Sequence, residues 1–227
     1  MKSFKKQAGF TLVEIAIVLV IVGLLLAGVL KGQELIESSR IKAIATDVRG
    51  IQAAFNGYVD RFRAIPGDEL AATMTNRGWA GVAGAAAADG TLVIAANQTF
   101  NNGGEQAGFW RALRASGLIA GNPAAPATVD GLPRHSGGGL MGVTNGVWGM
   151  AGPSICVANL TTAQAAGLDA MIDGPLPADQ IGNNLGEVRA IRGAANVLPT
   201  VIAGGPAASV YNNTVATTNW TVCVRMQ

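Results

Sequence analysis

Residues 10–30 are an almost unbroken apolar run. As a helix of about 21 residues rising about 1.5 Å each, the run spans roughly 30 Å, the thickness of a bilayer's hydrocarbon. Glu14 is the ionisable residue inside it. A carboxylate within a membrane span is costly, which makes Glu14 a candidate functional residue; its other reading is a first-turn residue favoured by the helix dipole. From Lys31 the pattern becomes one-sided. Ile41, Ile44, Val48, Ile51, Phe55, Tyr58 and Phe62 recur at spacings of three and four, with Arg40, Lys42, Asp47, Arg49, Gln52 and Asp60 between them, the signature of an amphipathic helix. The two patterns predict one helix over residues 10–64. It stops at Ile65-Pro66-Gly67-Asp68, because proline disfavours helix at the residue before it and Pro-Gly starts a turn. The apolar seam needs a cover, and a domain built from residues 65–227 supplies one; a coiled coil would need more than the roughly three heptads present.

Beyond the turn the pattern shortens. Residues 78–104 are rich in Gly, Ala and Asn and read as loops with a short strand at 91–95. Residues 109–119 have helical spacing through Trp110, Leu113 and Leu118, a stripe that reads as core. Residues 139–146, 147–150, 154–158 and 217–225 are short apolar or alternating runs bounded by Gly, Pro and Asn, which predicts an antiparallel sheet. Between them residues 161–173 read as a helix capped by Thr161 or Thr162, with Ala165, Leu168 and Ile172 on one face. The fold class is therefore α+β: a long amino-terminal helix on a small antiparallel sheet.

The apolar run follows a leader, residues 1–9, carrying Lys2, Lys5 and Lys6. This charge bias keeps the amino terminus cytoplasmic and exports the rest of the chain. The leader followed by Gly9, Phe10, Thr11, Leu12, Val13 and Glu14 resembles the class III signal of type IV prepilins and type II secretion pseudopilins. That resemblance implies cleavage after Gly9 by a prepilin peptidase, N-methylation of Phe10, and pairing of Glu14 with the Phe10 ammonium of a neighbouring subunit during assembly. It also implies a pilin-like fold and a life in the inner membrane, then in an extracellular or periplasmic filament. The partners would be other pilin subunits and an inner-membrane assembly platform. Residues 58–68, 109–119 and the tracts at 172–174 and 186–190 are similar to a subset of prepilin-like proteins. Where many type IV pilins carry a proline soon after the apolar run, this chain has Lys31 and Gly32. Gly28 and Gly32 form a GxxxG pair that fits either close helix packing or a weak point in the helix. Ordinary secretion, with cleavage near Ala27-Gly28, would call for an apolar core of only about 7 to 15 residues.

Composition adds limits. At 227 residues the chain accommodates one anchor and one ordinary domain. The formal charge of +2 falls to about −1 once the three leader lysines are removed, since 13 Lys and Arg then face 14 Asp and Glu; the basic balance is no argument for nucleic acid. Cys156 and Cys223 are the only cysteines, both in predicted strands. Export to an oxidising compartment favours a disulfide, the alternatives being buried free thiols or a metal pair without further ligands; a carboxyl-terminal disulfide loop is also a feature of many type IV pilins. His135 is the sole histidine, and no nucleophile elbow, zinc-protease helix or P-loop is present. No enzyme, cofactor or metal is expected. Gly137, Gly139 and Gly142 match GxGxxG without the strand and helix a dinucleotide site needs, and read as a loop. Asp169, Asp173, Asp179, Asn183 and Glu187 could offer oxygens to calcium, as in the major secretion pseudopilins, or serve as turn residues. Asn97, Asn159, Asn212 and Asn219 open sequons of low specificity. The reading that unites these features is a membrane-anchored filament subunit. Its alternatives are a pseudopilin of a type II secretion system and a monomeric anchored periplasmic binding module.

Overall fold

The computed structural model describes residues 11–82, 88–94, 98–101, 103–124, 128–175, 186–196 and 219–226. The chain divides into two compact units, residues 1–39 and 40–227. Helix α1 (Leu12–Phe62) contributes to both.

In the first unit α1 is long and apolar enough to cross a membrane. Its large apolar side chains from Leu12 to Ile36 are exposed. Such a surface is stable where water is excluded, as in hydrocarbon, in which a helix satisfies its own backbone groups. Gly23, Gly28 and Gly32 lie within the helix with nothing inside 4 Å of where a Cβ would stand.

In the second unit the seam predicted from sequence becomes the core face of the helix. Ile44, Ala45, Val48, Ile51, Ala54, Phe55 and Tyr58 are buried, while Lys42, Thr46, Arg49, Gly50 and Ala53 face out. The helix ends at Phe62; Arg63 follows in the left-handed region (φ 54°), its N–H reaching the Val59 carbonyl at 2.8 Å. The Ile65-Pro66-Gly67-Asp68 turn closes with the Asp68 N–H on the Ile65 carbonyl at 3.1 Å. Gly67 has φ 95°, and a Cβ there would stand 2.5 Å from the Glu105 carbonyl oxygen and 2.8 Å from the Phe109 nitrogen. Only glycine combines that conformation with that approach.

Among the described residues the sheet holds four antiparallel strands in the order β1-β2-β4-β3: β1 (Met141–Asn145), β2 (Pro153–Leu160), β3 (Val188–Arg192) and β4 (Trp220–Arg225). The central pair, β2 and β4, is buried along almost its whole length. Helices α2 (Ala71–Asn76), α3 (Glu105–Ala115) and α4 (Thr162–Ile172) also belong to this unit. Helix α4 packs on α1 where Gly167 admits Ile41, whose Cδ1 lies 2.7 Å from the position of an added Cβ. Around Phe55, Phe109 and Trp110 the rings stack at 6.3 Å and meet edge-on at 5.0 Å, arrangements that contribute about 0.5–1.5 kcal/mol per pair beyond area burial.

The sequence expectations are adjusted in four places. Residues 147–150 are not a strand: Val147–Gly149 forms a single 3-10 turn in the β1–β2 hairpin, with Trp148 at φ 49° and its ring buried. Residues 91–94 are not a strand either, although Leu92 and Ile94 are buried and Val93 exposed as alternation predicts; residue 95 lies outside the described set. Side chains replace the missing ladder, since the Glu105 carboxylate takes the Val93 N–H and Asn145 donates to the Leu92 carbonyl at 3.0 Å. Strand β3 is one that the hydrophobic pattern does not predict. Helix α3 begins at Glu105, ahead of the predicted 109–119, and it ends early because Gly117 (φ 75°) stops it: the Gly117 and Leu118 N–H groups bond back to Arg114 and Leu113 at 3.0 and 3.1 Å, a Schellman cap.

Candidate functional site

Helix α1 opens at Leu12, so Thr11 is the residue before it and Glu14 the third within it. The Thr11 N–H and hydroxyl both donate to Glu14 Oε2, at 2.8 and 2.7 Å, and the Glu14 N–H donates to Thr11 Oγ1 at 3.3 Å. This is a capping box, which satisfies two backbone donors that a helix start leaves open and sets a negative charge at the positive end of the dipole. The S/T-x-x-E spacing of Thr11-Leu12-Val13-Glu14 is the sequence signal of this box. Both residues are exposed. The candidate cleavage and methylation positions Gly9 and Phe10, and the leader lysines, lie outside the described residues.

Residues 4–30 match the family described as the prokaryotic N-terminal methylation motif. This is the prepilin-type cleavage and methylation signal of type IV pilins and pseudopilins. No curated protein matches the chain. The methylation motif takes in the last six residues of the leader, the capping box and the apolar run, and the α+β architecture beside it is pilin-like. The motif implies processing by a prepilin peptidase and assembly with other pilin subunits, and together with the apolar helix it fits anchoring in the inner membrane before assembly. It points to a structural protein.

Cys156 of β2 and Cys223 of β4 are register partners, and they are joined by a disulfide with an S–S distance of 2.04 Å. Both are fully buried. The bond closes a loop of 67 residues in sequence separation and fastens the last strand into the middle of the sheet.

The other candidates in the second unit are structural. Asp173 accepts the Glu187 and Val188 N–H groups at 3.1 and 3.0 Å and so aligns the start of β3. Asp169 is buried on α4; Asp179 and Asn183 fall outside the described residues. Among the described residues no group of three His, Cys, Asp or Glu is placed to hold a metal. Gly139 and Gly142 are required by close approach rather than by a dinucleotide, since added Cβ atoms would stand 2.1 Å from the Ala158 carbonyl oxygen and 2.0 Å from that of Thr99. Asn159 and Asn219 occupy positive-φ positions (62° and 96°), which asparagine tolerates better than most residues. Their sequon hydroxyls are engaged or enclosed: Thr161 caps α4 in a capping box with Gln164, and Thr221 is buried. Asn97 and Asn212 lie outside the described residues.

A groove of about 350 Å³ lies beside the end of α1, lined in part by Val59, Arg63, Asp68, Glu69 and Leu70. Its carboxylates are already held. Asp68 takes the Asp89 and Gly90 N–H groups at 3.1 and 2.7 Å, and Glu69 takes the Tyr58 hydroxyl and the Arg77 guanidinium. Burial raises the Tyr58 hydroxyl well above the usual phenol range, and Glu69 adds to the rise. Arg77 also lies over the Phe62 and Trp79 rings, at 4.6 and 5.6 Å. The assembly is a clamp between the end of α1 and α2.

Proposed function

We propose that the protein is a structural subunit of a type IV pilus-like surface filament. Prepilin peptidase removes residues 1–9, Phe10 becomes the methylated amino terminus, and α1 holds the subunit in the inner membrane with its start on the cytoplasmic side. The assembly platform then draws it into a filament through residues 10–30, with residues 65–227 forming the globular head. Glu14 carries assembly. In the membrane its charge is held by Thr11; in the filament it pairs with the Phe10 ammonium of a neighbouring subunit, a match that offsets the desolvation of both groups.

The observation that carries this reading is the methylation motif at residues 4–30 with its carboxylate at the helix start. Shearing of cells tests it: the subunit should be recovered in long fibres, beginning with methylated Phe10 by mass spectrometry. Retention of processed protein in the cell envelope would overturn the pilus form in favour of a secretion pseudopilin. A mature chain beginning near Gly28 would overturn the filament reading altogether.

A further inference from the structure

His135 lies in the turn before β1, almost fully buried (3 % exposed), and both ring nitrogens are committed to backbone groups. Nδ1 is 3.0 Å from the Gly137 nitrogen, which can only donate. Nε2 is 2.9 Å from the Ala158 carbonyl oxygen in β2, which can only accept. These partners fix one neutral tautomer, with the proton on Nε2 and a lone pair on Nδ1. The turn is tightened by the His135 N–H on the Gly139 carbonyl at 3.1 Å and the Gly138 N–H on the His135 carbonyl at 2.7 Å. Nothing larger than glycine fits beside the ring, since a Cβ on Gly137 or Gly139 would stand 2.9 Å from His135 Cε1 or 2.4 Å from Nε2.

The same turn grips α1. The Ser136 N–H and hydroxyl both reach Asp47 Oδ2 at 2.6 Å, and Gly137 sits against Ile44. Among the described residues the charge that acts on the ring is that of Asp47 on α1, while Arg134 in the turn donates its guanidinium to the Gly138 carbonyl at 3.1 Å; β2 presents the Ala158 carbonyl.

We propose that His135 is an acid-sensitive latch: a proton taken up at Nδ1 sets two donors, the ring N–H and the Gly137 N–H, against each other and releases turn 135–139 from α1 and β2. The turn would then free Asp47 and uncover the buried face of α1 around Ile44. Burial holds the ring below the usual histidine range, opposed in part by the Ala158 carbonyl and by Asp47. The closed turn therefore binds the proton less well than the open one. Closure is fully stable above about pH 6.5, and the opening constant rises about tenfold per pH unit below it until the closed ring itself titrates. The proposal does not depend on the filament reading.

The test uses the full chain in detergent micelles. Because the chain has one histidine, its ring signals in NMR follow His135 alone. Hydrogen exchange, corrected for the intrinsic pH dependence, is measured on peptides spanning 134–139 and 42–49 between pH 7.5 and 4.5, in the wild type, H135Q and D47N. The expected result is a ring titrating below 6.5, with protection of both peptides level above about pH 6.5 and falling about tenfold per pH unit below it in the wild type until the closed ring titrates, and staying level throughout in H135Q. A ring titrating at or above 6.5, or protection independent of pH, would overturn the latch. So would an unchanged pH dependence in H135Q that disappears in D47N, since Asp47 would then be the switch. If H135Q does not fold, the wild-type ring titration and exchange profile decide by themselves.

Discussion

Glu14 Oε2 sits 2.8 Å from the Thr11 nitrogen, so the carboxylate proposed to join subunits also caps the helix that carries it. The two roles separate by substitution. Glutamine at position 14 keeps a capping oxygen and loses the charge, whereas alanine loses both. Glu14→Gln and Glu14→Ala should both insert and be processed, and both should be strongly depleted from sheared fibres, with Glu14→Lys worse because it adds repulsion to the lost attraction. The measurement is the fibre-to-membrane ratio by immunoblot. Normal fibre from Glu14→Gln would show that capping suffices and that charge pairing is not the mechanism.

Processing is tested at Gly9. Gly9→Val should accumulate in the membrane as a precursor that keeps residues 1–9, because the resemblance implies a peptidase site that admits only a minimal side chain there. Intact-mass measurement reads this directly, and a precursor-free Gly9→Val sample would move the cut elsewhere.

The Cys156–Cys223 bond should protect both sulfurs from alkylation in denaturant without reductant. For a loop of 67 residues the chain-entropy model gives about 4 kcal/mol, so Cys223→Ser should lower unfolding stability by roughly 2–5 kcal/mol in a denaturant titration. Unchanged stability would mean that sheet pairing alone holds β4.

The clamp at the end of α1 gives a graded series. Tyr58→Phe removes one hydrogen bond from the buried Glu69 and should cost about 1–3 kcal/mol. Arg77→Ala leaves the Glu69 carboxylate, 5 % exposed, without its cation and should cost about 3–5 kcal/mol. Adding Glu69→Gln to Arg77→Ala should recover part of that loss, as read by chemical denaturation; additive losses would show that the charge is not what the arginine holds.

The sequence by itself determined the anchor, the second half of the helix and its stop. Their causes are local: a continuous apolar run, a three-four seam and a Pro-Gly turn act within a few residues of themselves. Leader and motif were legible for the same reason, and so were the two cysteine strands, whose apolar runs suit a position buried on both faces. Tertiary structure decided the rest. Val188–Arg192, with Arg189 and Arg192 in it, becomes a strand because β4 offers it an open edge, a partner more than 25 residues away in sequence. Val147–Gly149 has strand-like composition, but the hairpin must reverse there, and burial of Trp148 holds the backbone at a positive φ. Leu92 and Ile94 alternate as a strand does, yet their backbone is satisfied by Glu105 and Asn145 instead of a ladder. His135 gave no sign of a role in sequence, because what distinguishes it is the pair of backbone groups, Gly137 N–H and the Ala158 carbonyl, that only the folded chain brings to its two nitrogens.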